Sequence, residues 1–193
     1  MRITTMKAVD HHAGRILCAA LGVVRRAKPA AMPPAGDPGV QRIALVKFWG
    51  MGSIVLLTPA IAALRAKYPH AKLTFVTQAA NRDVIGLLSG VDELLTLDVG
   101  RGPAAFLASL GRLVRDVRAR AFDLWIDAEF LTRFSALLTG VSGAKVAAGF
   151  HVGTIDRGAM HHVQAPFNGH WHMIDNFRAL ATGDLDPPRE VAE

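Results

Sequence analysis

The sequence predicts an α/β fold, a doubly wound parallel sheet of the Rossmann-like type. From Gln41 onward, short and nearly continuous apolar runs alternate with stretches in which apolar residues recur at helical spacing. Strands that are apolar without alternation are typical of parallel sheets, because helices cover both faces of such sheets. With right-handed crossovers, alternating strands and helices build this architecture.

The elements follow in order along the chain. Five strands are predicted, at residues 42–48, 72–77, 94–98, 123–127 and 145–149. Apolar residues at helical spacing predict helices over 54–68, 106–117 and 134–141, and a last helix over 170–181 that Gly183 ends. Pro59 lies early in the first helix, or opens a helix behind a Thr58 cap.

A topological argument places the working site. If the strand order is 3-2-1-4-5, the chain reverses direction between the first and the fourth strand. Ligands of open α/β sheets bind at the carboxyl ends of the strands at such a reversal. We therefore expect loop 49–53 to face loop 128–133 across a crevice.

The chain divides into a basic leader and Pro/Gly-rich linker at 1–40, the Rossmann-like domain at 41–185, and the start of an interdomain linker at 186–193. Residues 1–48 hold eight Lys and Arg against two Asp, which equals the whole net charge of +6. The remaining part is neutral, which argues against nucleic-acid binding. The nine apolar residues at 16–24 are far fewer than the ~20 that span a bilayer. They suit an interfacial helix on an anionic membrane surface, a signal peptide, or a helix packed on its own domain.

Cys18 is the only cysteine. An intrachain disulfide is therefore impossible, and a reducing compartment is expected. With the basic leader, this indicates a cytoplasmic protein, free or attached peripherally to the inner face of the cell membrane.

The glycine turn at 50–53, Gly-Met-Gly-Ser, separates the first strand from the first helix. It lacks the third glycine of a dinucleotide fingerprint, where Val55 stands, and no phosphate-binding G-x-x-x-x-G-K-[ST] is present. No cofactor is therefore expected. Glycines allow close backbone approach, and a helix start offers N–H groups to an anion or a hydroxyl oxygen. The alternative is a tight turn without a ligand.

Three sequence blocks, taken together and in order, resemble glycosyltransferase family 9, the lipopolysaccharide heptosyltransferase family. The first is Lys47, the glycine turn and then V-L-L-T-P-A at 55–60. The second is F-D-L-W-I-D-A-E at 122–129, S-A-L-L at 135–138, and the stretch 143–150 from Gly-Ala to Gly-Phe. The third is His170 or His172 before the last helix. The resemblance covers about residues 42–183.

The resemblance implies the N-terminal, acceptor-binding half of an inverting GT-B glycosyltransferase, in which two Rossmann-like domains face each other across a cleft. It implies a lipid-linked saccharide acceptor, no metal, and a nucleotide sugar held by a C-terminal domain. This chain ends at Glu193, where the linker to that domain would begin. Alone, it is expected not to transfer sugar.

One departure from the family concerns the general base. The family carries an aspartate where this chain has Ser53, and a serine hydroxyl is no base near neutral pH. Loss of a positioned base costs about 10²–10⁴ in rate. Glu129, with Asp127 second, is our candidate for a substitute base or for a group that holds acceptor hydroxyls. The alternatives are a loop cap for Asp127 and a solvated loop carboxylate for Glu129.

Further candidate residues bind substrate rather than react with it. They are the turn residues Gly50, Met51 and Gly52, together with Arg133, Arg157 and Asn168. A guanidinium such as that of Arg133 matches a phosphate bidentately, although a plain surface arginine would fit as well. Arg157 and Asn168 follow from position in the family alone. Five histidines lie between 151 and 172, but they lack the spacing of metal ligands.

The sequence thus predicts an acceptor-binding half of a family 9 glycosyltransferase that acts on a lipid-linked saccharide. The alternative is a non-catalytic binding module or an inactive remnant of such an enzyme. A small nucleotide-binding Rossmann protein is a third reading, which the missing third glycine disfavours.

Overall fold

A computed structural model of the protein describes residue 18, residues 27–152 and residues 157–184. The predicted leader helix at 16–24, apart from Cys18, and the predicted linker at 186–193 lie outside the described residues. Six parallel strands form one sheet in the order β3-β2-β1-β4-β5-β6. They are β1 (Arg42–Val46), β2 (Lys72–Gln78), β3 (Glu93–Leu97), β4 (Leu124–Asp127), β5 (Val146–His151) and β6 (Val163–Pro166).

Helices connect the strands and cover both faces of the sheet. They are α1 (Met51–Val55), α2 (Thr58–Lys67), α3 (Arg82–Gly86), α4 (Pro103–Arg120), α5 (Arg133–Ser142) and α6 (Met173–Thr182). The predicted α/β class and the five predicted strands are confirmed. Within the described residues, none of these helices combines the length and the apolarity that crossing a bilayer requires.

Three local predictions were wrong or incomplete. Five strands were predicted, but residues 163–166 form a sixth strand at the edge of the sheet. Its four residues end in Pro166, which is tolerated because β6 is an edge strand and Pro has no N–H to donate to a neighbouring strand. The first predicted helix is two helices, and Pro59 lies in the first turn of the second one, with Leu57 at the N-cap. The one-turn helix α3 was not predicted, because its five residues are too few to show a helical repeat of apolar residues.

Successive residues of each strand point to opposite faces, and each face packs its own core. Ile43 and Leu45 of β1 pack with α1, α2 and α6 residues such as Ile54 and Leu64. Ala44 and Val46 pack on the other face, against the side of α4 and α5. Both faces of β1 are buried from Ile43 to Val46, which explains why these four residues are all apolar.

The segment 27–41 contains no helix or strand, as its prolines and glycines predict. It is nevertheless packed on the domain. The Tyr68 hydroxyl donates to the Pro33 carbonyl at 2.7 Å, and burial raises the pKa of Tyr68 to about 12. Met32 packs on the core face that α2 and α6 share.

Arg120, at the end of α4, donates two hydrogen bonds to the Glu93 carboxylate at the start of β3. These hydrogen bonds lower the pKa of Glu93 to about 2 from its ordinary value of 4.5. The ion pair joins the C-terminal end of α4 to β3, which is the strand at one edge of the sheet.

The depressed pKa of Glu93 predicts an acid-dependent loss of stability. The pair's contribution is complete above pH 4.5, and it is lost as the pH falls from there through about 2. We expect Glu93→Gln to lower the free energy of unfolding at pH 6, and the difference from wild type to vanish near pH 2. Urea titrations at a series of pH values measure this. Asp83→Asn, at an exposed carboxylate on α3, is the control. A Glu93→Gln effect of the same size at both pH values would contradict the prediction.

Candidate functional site

The reversal point of the sheet lies between β1 and β4, which pair in parallel with Val46 opposite Asp127. Loop 47–50 follows β1, and loop 128–132 follows β4. Because the two strands are parallel, both loops leave the sheet at the carboxyl ends of the strands. Gly50 has a φ of 83° and occupies the N-cap of α1. This left-handed conformation favours glycine. A Cβ on Gly50 would also come within 3.0 Å of Ser53 Oγ.

Glu129 joins the two loops directly. Its Oε1 accepts hydrogen bonds from the backbone N–H groups of Phe48 and Trp49, both at 2.8 Å. Its Oε2 lies 2.9 Å from Lys47 Nζ. Glu129 is only 3% exposed. The alternative that it is a solvated loop carboxylate is therefore wrong.

Asp127 lies at the centre of a second buried network. Its Oδ1 accepts from the Glu129 N–H at 3.1 Å, so it caps the loop after β4. Its Oδ2 accepts from Arg157 Nη2 at 2.7 Å and lies 3.1 Å from His161 Nε2. Arg157 also donates to the Glu129 carbonyl and, at 2.8 Å, to Ser135 Oγ. One guanidinium therefore ties β4, its following loop and α5 together.

Burial alone would raise the pKa of Asp127, which has no solvent exposure. The Arg157 charge and the His161 hydrogen bond outweigh this effect, and they hold the pKa of Asp127 below its ordinary value. Asp127 is therefore a carboxylate at neutral pH. A buried carboxylate of this kind fixes its neighbours in place, because moving any of them would leave its charge unpaired.

Gly149 of β5 makes room for this network. A Cβ on Gly149 would stand 2.3 Å from two atoms of the His161 ring. His161 is buried beside Asp127, so its ring reaches the carboxylate only because position 149 has no side chain.

The turn residues face outward. Gly50, Met51 and Gly52 are exposed, and Ser53 is half-buried. The start of α1 is therefore exposed where β1 ends, whereas Glu129, which holds the backbone before the turn, is buried.

The structure brings some predicted site residues together and leaves others apart. Arg133 begins α5 and is 8% exposed, so it is not a surface arginine; its carbonyl accepts from the Cys18 thiol. Arg157 belongs to the Asp127 network and is buried. Asn168 follows β6, and its amide oxygen accepts from the His170 N–H at 2.9 Å. None of the hydrogen bonds described for Asn168 reaches the Asp127 network.

Sequence reasoning missed His161 and Phe130. His161 looked like one of several loop histidines, and no local pattern distinguishes it; only the fold brings it to Asp127. Phe130 stacks on Phe167 with ring centroids 4.9 Å apart, and it lies 5.2 Å from Lys47 Nζ. His172, one of the two motif candidates, is the N-cap of α6. Among residues 18, 27–152 and 157–184, no three His, Cys, Asp or Glu side chains are placed to share a metal ion.

The contact between Gly149 and His161 generates a prediction about stability. Gly149→Ala is expected to displace His161, and overpacking of this kind costs about 1–3 kcal/mol in the free energy of unfolding. His161→Ala removes the ring that the new methyl group meets. The double variant should therefore be more stable than the sum of the single losses implies. Urea unfolding of the four proteins measures the coupling, and strictly additive losses would contradict the contact.

Comparison with protein-family models finds no match to this sequence, and a search of curated proteins also finds none. Solved structures do match. A family 9 glycosyl transferase from Veillonella parvula has 20% identity and a TM-score of 0.65, over 78% of this chain and 42% of that chain. The E. coli heptosyltransferase WaaC, solved with ADP, has 18% identity and a TM-score of 0.66, over 79% of this chain and 50% of that one. The E. coli ADP-heptose LPS heptosyltransferase II has 19% identity and a TM-score of 0.58, over 77% and 44%.

This chain therefore spans about half the length of the solved enzymes it matches. At these identities the likeness establishes the fold and no more. The resemblance predicted from three sequence blocks is confirmed at that level: this chain has the Rossmann-like α/β fold found in solved glycosyltransferases of family 9.

Proposed function

We propose that this chain is the N-terminal, acceptor-binding half of a family 9-like glycosyltransferase. The enzyme would transfer heptose or a similar sugar from a nucleotide sugar to a lipid-linked saccharide in lipopolysaccharide biosynthesis. The observation that carries the proposal is the outward glycine turn at the reversal point of the sheet, held from behind by Glu129. A saccharide presents hydroxyl oxygens, and exposed backbone N–H groups at a rigid turn are suited to bind them.

The remaining parts of the proposal rest on the resemblance. The nucleotide sugar would be bound by a second Rossmann-like domain, and the basic leader within residues 1–40 would attach the protein to the anionic inner face of the membrane. WaaC has been solved with ADP-2-deoxy-2-fluoro heptose, which makes ADP-heptose the natural donor probe for this chain.

A second candidate function is a non-catalytic binding module. Ser53 favours it, because a hydroxyl stands where the resembled family has its aspartate base. In this reading the acceptor still binds, but no proton is removed from it. The substitute-base hypothesis for Glu129 and Asp127 stays a prediction. Both carboxylates are buried and paired, so the Lys47–Glu129 pair would have to open before Glu129 could take a proton from an acceptor.

Acceptor binding tests the proposal without requiring turnover. The probe is a deacylated lipopolysaccharide fragment that lacks heptose, titrated into the full chain by calorimetry. We expect saturable binding, and Gly52→Leu should weaken it by at least about tenfold, or about 1.4 kcal/mol. A Cβ at Gly52 meets no atom within 4 Å, so the new side chain fits the fold and projects from the turn.

Gly111→Leu is the matched control. Gly111 is also an exposed helical glycine whose Cβ would meet no atom within 4 Å, but it lies on α4. We expect its affinity for the fragment to equal that of wild type. Titration of ADP-heptose into the chain should give no binding. No binding of the fragment by wild type, or equal losses in the two leucine variants, would overturn the assignment of the turn as the acceptor site.

A further inference from the structure

The two peptide units that flank Phe48, just after β1, are held from both sides. The N–H groups of Phe48 and Trp49 donate to Glu129, which comes from the loop after β4. The Phe48 carbonyl accepts from Gln78 Nε2 at 2.7 Å and from Asn81 Nδ2 at 3.0 Å, which lie at and after the end of β2. Loops from both strands that flank β1 therefore fix the backbone immediately before Gly50.

Glu129 does this while forming a buried ion pair. The side chains of Lys47 and Glu129 are 3% and 4% exposed. Removing two charges from water is costly, and a buried pair is often no more stabilising than apolar residues of the same size. Stability alone therefore does not account for this pair. Its specific effect is geometric, because the paired carboxylate is held where its second oxygen meets two N–H groups.

The two carboxylate oxygens have separate tasks. Oε2 neutralises Lys47, whose ammonium also lies 5.2 Å from the centre of the Phe130 ring. Oε1 accepts both backbone N–H groups and makes no contact with Lys47 that the structure describes. An amide oxygen could accept the same two hydrogen bonds, but an amide group could not neutralise a buried lysine.

We propose that Glu129 is a positioning residue that sets the geometry of the glycine turn for acceptor binding, with its charge required only by Lys47. This inference rests on the proposed function for its consequence, the affinity for acceptor. We call the hold of Glu129 on the Phe48 and Trp49 N–H groups the clamp. Its effect on the turn is measured without any ligand. It also differs from the substitute-base hypothesis, in which the carboxylate itself would be indispensable.

A double-variant cycle tests the proposal. Glu129→Gln leaves Lys47 as an unpaired buried cation, and Lys47→Met leaves Glu129 as an unpaired buried anion. The combination of Lys47→Met with Glu129→Gln leaves no buried charge and keeps an oxygen for the two N–H groups. Hydrogen exchange, followed by NMR in the full chain, reports protection of the Phe48 and Trp49 amides.

We expect each single variant to lose at least about tenfold in protection of these two amides, because a broken buried pair destabilises its surroundings. The double variant should recover protection to within about threefold of wild type. Affinity for the heptose-free fragment should follow the same order. If a single variant fails to fold, recovery in the double variant still decides the question.

The chain contains a matched control at the opposite end of β1. Asp123 Oδ2 accepts from the N–H groups of Gln41 and Arg42, each at 3.0 Å, and its Oδ1 lies 2.7 Å from Lys145 Nζ. The same pattern of two consecutive amides and one lysine thus recurs away from the glycine turn. Asp123→Asn combined with Lys145→Met should leave both the Phe48 and Trp49 protection and the acceptor affinity unchanged.

Two results would overturn the inference: unchanged protection of Phe48 and Trp49 in Glu129→Gln, or a double variant that remains unprotected. A third result separates this inference from the proposed function. If wild type binds no fragment but the protection cycle behaves as expected, the proposed function fails and the clamp stands as a property of the turn.

Discussion

The constraint on which this site depends is the burial of two carboxylates at the end of β4. Asp127 and Glu129 are removed from water, and a buried charge persists only with partners. Arg157 and His161 satisfy the first, while Lys47 and two backbone amides satisfy the second. These partners come from segments far apart in sequence, so the carboxylates hold the ends of β1, β4 and α5 in one arrangement.

In this arrangement, buried charged side chains support the exposed turn that we propose as the acceptor site. The charged side chains are buried, and the surface of the turn consists of the exposed Gly50, Met51 and Gly52 and the half-buried Ser53. A saccharide acceptor needs hydrogen-bonding groups at fixed positions, and rigid backbone provides them with little loss of entropy on binding. The same rigidity limits the chemistry. Because Glu129 is paired with Lys47, it could act as a general base only after this pair opens. The turn is therefore better suited to binding than to proton transfer.

The architecture could be predicted from the sequence because residues 43–46 of β1 and 124–126 of β4 are buried on both faces and are therefore all apolar. The switch point followed from strand order, and there Trp49 of loop 49–53 donates to Glu129 of loop 128–133. That the two loops line a ligand-binding crevice stays a prediction. Other features had no local signal. His161 contacts Asp127 from 34 positions away, and the short strand β6 depends on pairing with β5. The sequence placed Glu129 correctly, just after β4. Its burial could not be predicted, because a loop sequence has no apolar periodicity that marks a buried side.

The central claim is that the outward turn at the β1–β4 reversal point binds a saccharide acceptor. Chemical-shift mapping of the ¹⁵N-labelled chain, titrated with the heptose-free lipopolysaccharide fragment, tests it most directly. The account predicts that the largest shifts fall on the amides of Trp49, Met51, Gly52 and Ser53. Shifts centred instead on the groove that Arg65, His70 and Lys72 line at the opposite edge of the sheet, or no shifts at all, would contradict it.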